Sequence, residues 1–314
     1  MTRLTVAVAT FRRPDDLAAL LPLLATETEA VTQDRPHVKA GIIVVDNDPA
    51  ASAADVVAAH PAIRYVAEPT PGIAAARNRA LASADDADLL AFIDDDERPE
   101  PGWLRHLFDM WARTGAAAVA GAVRTELPGE PDPWVVEGGF FTRQHRAKLP
   151  TGTLLSSAAT NNLLLDLAAV RRAGLRFDPA FGISGGEDEL FTRQLVAAGG
   201  KIAWCAEAVV HEAVRPDRLN RRFLLLRAFS YGSLDARIEQ ALAGSPVART
   251  AARARCVCQG VPRIGYGAIR WLYGRLTRSL WHDAYGAQLL MRGLGLLAGS
   301  LGLTLSRYRR PAPK

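Results

Sequence analysis

Apolar and polar positions alternate along the first hundred residues in a way that predicts strands followed by helices. Leu4 to Ala9 is a short apolar run, the length of a buried strand. The polar Thr10-Phe11-Arg12-Arg13-Pro14 follows, and then Leu17, Leu20, Leu21 and Leu24 recur at the spacing of one helix face. A second apolar run, Ile42 to Val45, ends in Asp46-Asn47-Asp48-Pro49, and a third, Ile63 to Ala67, is closed by the turn signal Pro69-Thr70-Pro71-Gly72 ahead of a helix that holds Arg77 and Asn78. Leu89 to Ile93 then runs straight into Asp94-Asp95-Asp96-Glu97, and Pro99 to Gly102 turns the chain into a helix beginning near Trp103. Strands that alternate with helices predict a mostly parallel sheet with helices on both faces. In such sheets ligands gather beyond the carboxyl ends of the strands, where Thr10, Asp46 and Asp94 to Asp96 fall.

The order loosens after residue 116. Strands are expected at Ala117 to Val123, Asn162 to Leu165 and Ile202 to Val210, the last ending in His211. A Pro/Gly-rich loop covers Pro128 to Gly139, and the glycine-rich Phe181 to Gly186 opens a helix at Glu187-Asp188-Glu189. From Ile269, the residues Leu272, Tyr273, Leu276 and Leu280 return at helical spacing, with Arg270, Arg275 and Arg278 on other faces and Trp271 and Trp281 nearer the margins. Leu289 to Leu305 is rich in Gly and Leu but is interrupted by Arg292, so a membrane-spanning helix is not expected there.

Composition adds little to this for most of the 314 residues: 49% hydrophobic and 23% charged is ordinary for a globular chain. The length suits one large α/β domain with an appendage. Charge changes the picture. Residues 245 to 314 hold 12 Lys and Arg against Asp283 alone, whereas the chain before them is net acidic. A basic amphipathic tail of this kind either lies on an anionic membrane surface or packs back on the preceding domain; no recognised motif accompanies it that would point to nucleic acid. The 3 cysteines form no paired CxxC elements, so neither a disulfide framework nor a structural zinc site is expected. No secretory signal is read at the start of the chain, and the expected location is cytoplasmic, peripheral at the inner face of the membrane.

Three carboxylates at the mouth of a strand repel one another, and a cation is one way to offset that; Mg²⁺ or Mn²⁺ prefers carboxylate oxygens and accepts phosphate oxygens in its remaining positions. An isolated acidic run is more readily a solvated turn. What separates the two is the company it keeps. Val6 to Arg13, Val44 to Asp48, Glu68 to Asn78, Phe92 to Glu97 and Gly185-Gly186-Glu187-Asp188 resemble, in order, motifs of family 2 glycosyltransferases, and among them the succinoglycan-biosynthesis type.

That resemblance implies a GT-A fold: a Rossmann-like, mostly parallel mixed sheet flanked by helices, with the basic helical C-terminal extension added to it. Residues 1 to 235 would form the catalytic domain, 1 to 115 its nucleotide-binding half and 116 to 235 its acceptor-side half, leaving 236 to 314 as the tail. It implies an inverting transfer from a nucleotide-diphosphate sugar, a UDP-sugar above all, to a saccharide or a polyprenyl-diphosphate-linked saccharide. Thr10, Arg12, Asp46, Arg77, Asp94 and Asp95 would bind the donor, with Arg218 and Arg222 near its phosphates. Asp96 would ligate the metal, with His211 as a candidate second ligand, and Asp188 would be the general base, with Glu187 as its rival. Two other readings stay open at this point: a catalytically degenerate sugar-nucleotide or glycan-binding scaffold, and a nucleotidyltransferase, although the chain has no GxxxxGK[ST] loop.

Overall fold

A computed structural model describes residues 1–141, 146 and 148–303. The chain opens with strand β1 (Thr2–Thr10), helix α1 (Pro14–Asp34), β2 (Val38–Asp46), α2 (Ala54–Ala58), β3 (Ile63–Ala67), α3 (Ile73–Ser83), β4 (Leu89–Asp94), the short β5 (Glu97–Pro99) and α4 (Trp103–Thr114). It continues with β6 (Ala118–Glu126), α5 (Pro133–Glu137), β7 (Leu154–Leu155), β8 (Asn162–Asp166), α6 (Leu167–Arg172), α7 (Glu187–Ala197) and β9 (Ile202–Ala213). Three helices close the described chain: α8 (Arg221–Ala241), α9 (Pro246–Thr277) and α10 (Leu280–Ser300).

The strands form one mixed sheet in the order β3-β2-β1-β4-β8-β6-β9-β5, with β7 also paired to β9. Pairing is parallel from β3 through β4 and turns antiparallel where β8 meets β4 and β6. The sheet is covered on both faces, and its central strands β4 and β8 are apolar over most of their length, as strands buried on both faces are. Leu4, Val6 and Val8 of β1 pack in one layer with Leu17, Leu20 and Leu24 of α1 and Leu104 and Leu107 of α4. Ala7, Leu90 and Phe92 pack in the other, with Ala76 and Ala80 of α3 and Phe191 and Leu195 of α7. Buried Glu27 of α1 accepts from the backbone N–H groups of Gly102 and Leu104, so a carboxylate rests on the positive end of α4.

The described chain separates into two compact units: Met1–Arg124 with Arg143–Ile183 and Glu187–Glu212, and Thr125–Thr142 with Ser184–Gly186 and Ala213–Lys314. The division differs from an expected boundary at residue 235, since all of α8 joins the C-terminal unit. The reason is packing at glycines. A Cβ on Gly232 of α8 would meet the backbone of Arg292 and Leu296 in α10, and one on Gly295 or Gly299 of α10 would meet the backbone of α8 at Phe229 or Ser233. Within this unit Trp134 stacks on Phe140 at 4.9 Å, and both join Leu224 and Ala284 in a small core. Among the described residues no helix is long and apolar enough to cross a membrane. Residues 304 and 305 of the Gly/Leu-rich stretch lie outside the described residues.

Candidate active site

Successive side chains of a strand point to opposite faces, and this alternation sorts the acidic run. Leu89, Ala91 and Ile93 of β4 lie in the layer with α1, whereas Leu90 and Phe92 lie in the layer with α3 and α7. The parity continues past the strand end. Asp94 turns toward α3, where its Oδ1 lies 3.6 Å from Nη2 of Arg77. Asp95 turns toward α1: Oδ2 accepts from the Thr10 hydroxyl at 2.8 Å and Oδ1 from Nη1 of Arg13 at 2.7 Å. Thr10 shares this face because β1 runs parallel beside β4 with Ala9 opposite Asp94.

Arg13 also donates to Oδ2 of Asp96 at 2.7 Å, so one guanidinium bridges two of the three carboxylates. Its reach depends on the backbone before it. Arg12 has φ 56°, in the left-handed region that non-glycine residues seldom adopt, and this sharp reversal joins β1 to α1. Arg12 itself swings outward, 60% exposed, with Nε 3.2 Å from Asp48. Burial alone would lower Arg13, but the charges of Asp95 and Asp96 more than offset that and hold it firmly protonated. Burial raises the Asp95 carboxyl above its usual range despite Arg13 and Thr10. Asp94 is raised to about 6, by desolvation first, with Arg77 opposing and Asp96, Asp95 and Glu212 adding repulsion. Water still reaches 40% of the Asp94 side chain and screens these charges, so the upward direction is what bears on its chemistry.

On the other side of the acidic run, buried Arg77 forms an ion pair with Glu187 at the start of α7. Gly185 and Gly186, at φ 84° and 87°, make the two left-handed steps that bring the chain into this helix. Phe191, one turn further on, stacks on Phe177 at 4.3 Å, and the side chain of Asn78 brackets the backbone N–H and C=O of Phe177 at 2.9 and 2.8 Å. The Arg77-Asn78 pair thus ties α3 to both the entry of α7 and the segment preceding it. Glu187 is pushed up to about 7, chiefly by burial, with Arg77 pulling down and Asp188 pushing up. One of its oxygens, Oε2, has no hydrogen-bond partner among the described residues. Asp188 is half-buried, and its Oδ1 accepts from the N–H of Glu189 at 2.8 Å.

Several residues expected at the donor make hydrogen bonds inside the protein. Asp46 is fully buried: Oδ1 accepts from the N–H of Asp48, and Oδ2 from the N–H of Ala53 and the hydroxyl of Tyr65. These bonds fix the loop after β2. Burial and Asp46 together raise the Tyr65 hydroxyl to about 12, so it stays a donor. Thr10 is buried, with its hydroxyl donating to Asp95. Glu187 is only 3% exposed and paired with Arg77, whereas solvent reaches Asp188.

His211 points its Nε2 to Glu100 at 2.7 Å, and Glu100 also accepts from Arg124. Among the described residues, no three His, Cys, Asp or Glu side chains converge as a ready metal cage, so His211 and Asp96 are not brought together in one. The carboxylates nevertheless suit an ion that keeps several waters and takes phosphate oxygens, since such an ion requires only one or two of them. Asp96 offers Oδ1 while Arg13 holds Oδ2, and Asp94, two residues earlier, has a solvent-reached carboxylate. Arg218 lies in a 3-10 turn (Pro216–Arg218) and Arg222 is exposed in the first turn of α8, both in the C-terminal unit. The sequence motifs assign no role to Arg13, although its place beside Arg12 ahead of a Pro-initiated helix is a usable signal. Buried Glu97, whose Oε1 accepts from Asn161 at 2.6 Å and Oε2 from the N–H of Asp94 at 3.3 Å, has no such signal.

Comparison with known proteins now fits this geometry. The profile of Glycosyl transferase family 2 matches residues 5–163, and the chain belongs to that family. It is 35% identical over 240 residues to the succinoglycan biosynthesis protein ExoM of Rhizobium meliloti (strain 1021), covering 74% of each chain. Among solved structures it resembles S. aureus TarS 1-349 in complex with UDP-GlcNAc, with TM-score 0.52 and 15% identity over 92% of this chain and 90% of that one. It spans only 42% of a longer TarS chain, at TM-score 0.54 and 14% identity over 81% of its own length. GalNAc-T7 with UDP, GalNAc and Mn²⁺ gives TM-score 0.54 at 12% identity, over 75% of this chain and 51% of that one. At these identities the solved structures speak to the fold, which is that of GT-A glycosyltransferases.

Proposed function

We propose that the protein transfers a sugar, with inversion at the anomeric carbon, from a UDP-sugar to a hydroxyl of a saccharide or of a polyprenyl-diphosphate-linked saccharide. The observation that carries this reading is the Arg77–Glu187 ion pair together with the 3.6 Å approach of Arg77 to Asp94. Arg77 links Asp94 of the acidic run to Glu187 at the start of α7. With Asp188 read as the acceptor base and the acidic run as the diphosphate site, this link supports in-line displacement. Support for the donor class comes from TarS, which forms a complex with UDP-GlcNAc.

In this reading Asp188 removes the acceptor proton as its oxygen attacks, with Oδ1 oriented by the Glu189 N–H. Asp96 and Asp94 are the residues that would hold Mn²⁺ or Mg²⁺. Such a cation, when bound, supplies charge that offsets the departing diphosphate. Arg77 keeps Asp94 and α7 in register, and Arg13 keeps Asp95 and Asp96 from repelling one another until the donor arrives. The basic C-terminal unit is read as meeting an anionic membrane surface on the cytoplasmic side.

A panel of nucleotide sugars incubated with the protein and Mn²⁺ or Mg²⁺, with a lipid-linked acceptor present or absent, tests this directly. Release of UDP from one donor, an inverted anomer in the product by NMR, and loss of both in Asp188→Asn are expected. Retained anomeric configuration, or undiminished turnover in Asp188→Asn, would overturn it.

A further inference from the structure

Large exposed apolar side chains are concentrated at one place in this molecule. Val257, Val261, Ile269, Leu272 and Leu276 of α9 are 39%, 55%, 70%, 54% and 77% exposed. With Gly265 between them they recur at intervals of four, four, four, three and four residues, the spacing of a single helix face. The opposite face is accounted for. Gly260, Gly267 and Gly274 are buried, and a Cβ on any of them would meet α10. The outer stripe therefore belongs to a helix already anchored along its inner side, and it runs for roughly 28 Å at the α-helical rise.

The margins of this stripe have a defined chemistry. Tyr266, Trp271 and Tyr273, with Trp281 and Tyr285 of α10, are all partly exposed large aromatics. Arg270 lies among them, 4.2 Å from the ring centroid of Trp281 and 4.9 Å from that of Tyr285. Arg249, Arg253, Arg255, Arg275 and Arg278 are exposed along the same helix or at its end. Apolar centre, aromatic margin and cationic flank are the three zones of a helix that lies in a bilayer interface.

We propose that the outer face of α9 docks in the plane of an anionic lipid bilayer, with Val257 to Leu276 entering the acyl boundary and the arginines meeting phosphate headgroups. This deepens, and rests on, the membrane reading of the C-terminal unit given above. Charge selects the lipid surface over a second copy of the chain: residues 245 to 303 hold 8 Arg against Asp283 alone, so two such faces brought together repel. Among the described residues no helix is long and apolar enough to cross a membrane.

The test uses the full chain and flotation with vesicles of phosphatidylcholine alone or with one third phosphatidylglycerol, at low and high salt. Ile269→Ser/Leu272→Ser/Leu276→Ser is compared with wild type, after circular dichroism and melting curves show that the exposed changes leave the fold intact. Wild type should float with the anionic vesicles, weaken in high salt, and lose affinity by about tenfold or more in the triple variant. Vesicles carrying brominated acyl chains should quench wild-type Trp fluorescence more than that of the variant. If wild type floats and the triple variant floats equally well, the face is misassigned while the membrane reading survives. If wild type floats with no vesicle, both fail. A dimer in light scattering that the triple variant dissociates assigns the face to a second copy and overturns the proposal. None of these readouts requires a sugar to be transferred.

Discussion

Arg77 and Glu187 stand 110 residues apart in sequence and form a buried ion pair, with side chains 8% and 3% exposed. Removing one member of such a pair leaves an uncompensated charge in the interior. Arg77→Met is therefore expected to destabilise the protein by about 3–5 kcal/mol. Arg77→Met/Glu187→Met should recover most of that loss, because no lone charge remains. Urea unfolding of the single and double variants measures both values; equal losses in the two would show that the pair does not hold α3 to α7.

Glu187 also sets a pH dependence. Burial raises it from 4.5 to about 7, so in the folded state it binds its proton more tightly than in the unfolded chain. The stability this confers is complete below about 4.5 and is lost as pH rises through about 7. Melting temperatures between pH 4.5 and 7.5 should fall less steeply in Glu187→Gln than in wild type. Parallel profiles would remove Glu187 from the account.

The two carboxylate motifs should separate by kinetics. Asp188→Asn is expected to lower kcat by about 10²–10⁴ with little change in donor KM, since it removes a proton acceptor and no donor contact. Asp96→Ala is expected to abolish the effect of added Mn²⁺ on donor affinity. Isothermal titration with UDP, with and without the cation, distinguishes the two variants.

Arg13 bridges Asp95 and Asp96, and its loss exposes their mutual repulsion. Arg13→Ala should destabilise the metal-free protein by about 1–3 kcal/mol. Added Mn²⁺ should then raise its melting temperature more than that of wild type, because an external cation takes over the neutralising role. A smaller gain than wild type would place Arg13 on the side of metal recruitment instead.

In the C-terminal unit, Gly286→Ala puts a Cβ onto the backbone of Trp271, whereas Gly265→Ala has nothing within 4 Å. The first should destabilise by about 1–3 kcal/mol as α9 and α10 are forced apart. The second should be neutral or stabilise by up to about 1 kcal/mol through helix propensity. Thermal unfolding of the two variants side by side checks this.

Much of the fold is legible in the order of residues. Apolar runs at Leu4, Ile42, Ile63 and Leu89 form β1, β2, β3 and β4, and the acidic run falls after the last of them, because buried parallel strands must be apolar throughout and end where polar chain begins. The entry to α7 is readable from two glycines ahead of an acidic turn. Asp46 and Thr10 are not legible as internal groups, since an acid or hydroxyl at a strand end looks the same whether it faces a ligand or the next loop.

The sequence by itself determined which carboxylates stand at the sheet edge, that a basic amphipathic segment follows the catalytic region, and the family whose ordered motifs the chain carries. Tertiary structure decided how each carboxylate is used. The pleat of β4 sends Asp94 to Arg77 and Asp95 to Thr10 and Arg13, and the closure of α7 on α3 puts Glu187 inside and leaves Asp188 half-exposed. It also decided which face of α9 is spare, because glycines commit the other to α10. These outcomes depend on partners far away in sequence, and the residue types alone hold no record of which partner lies within reach.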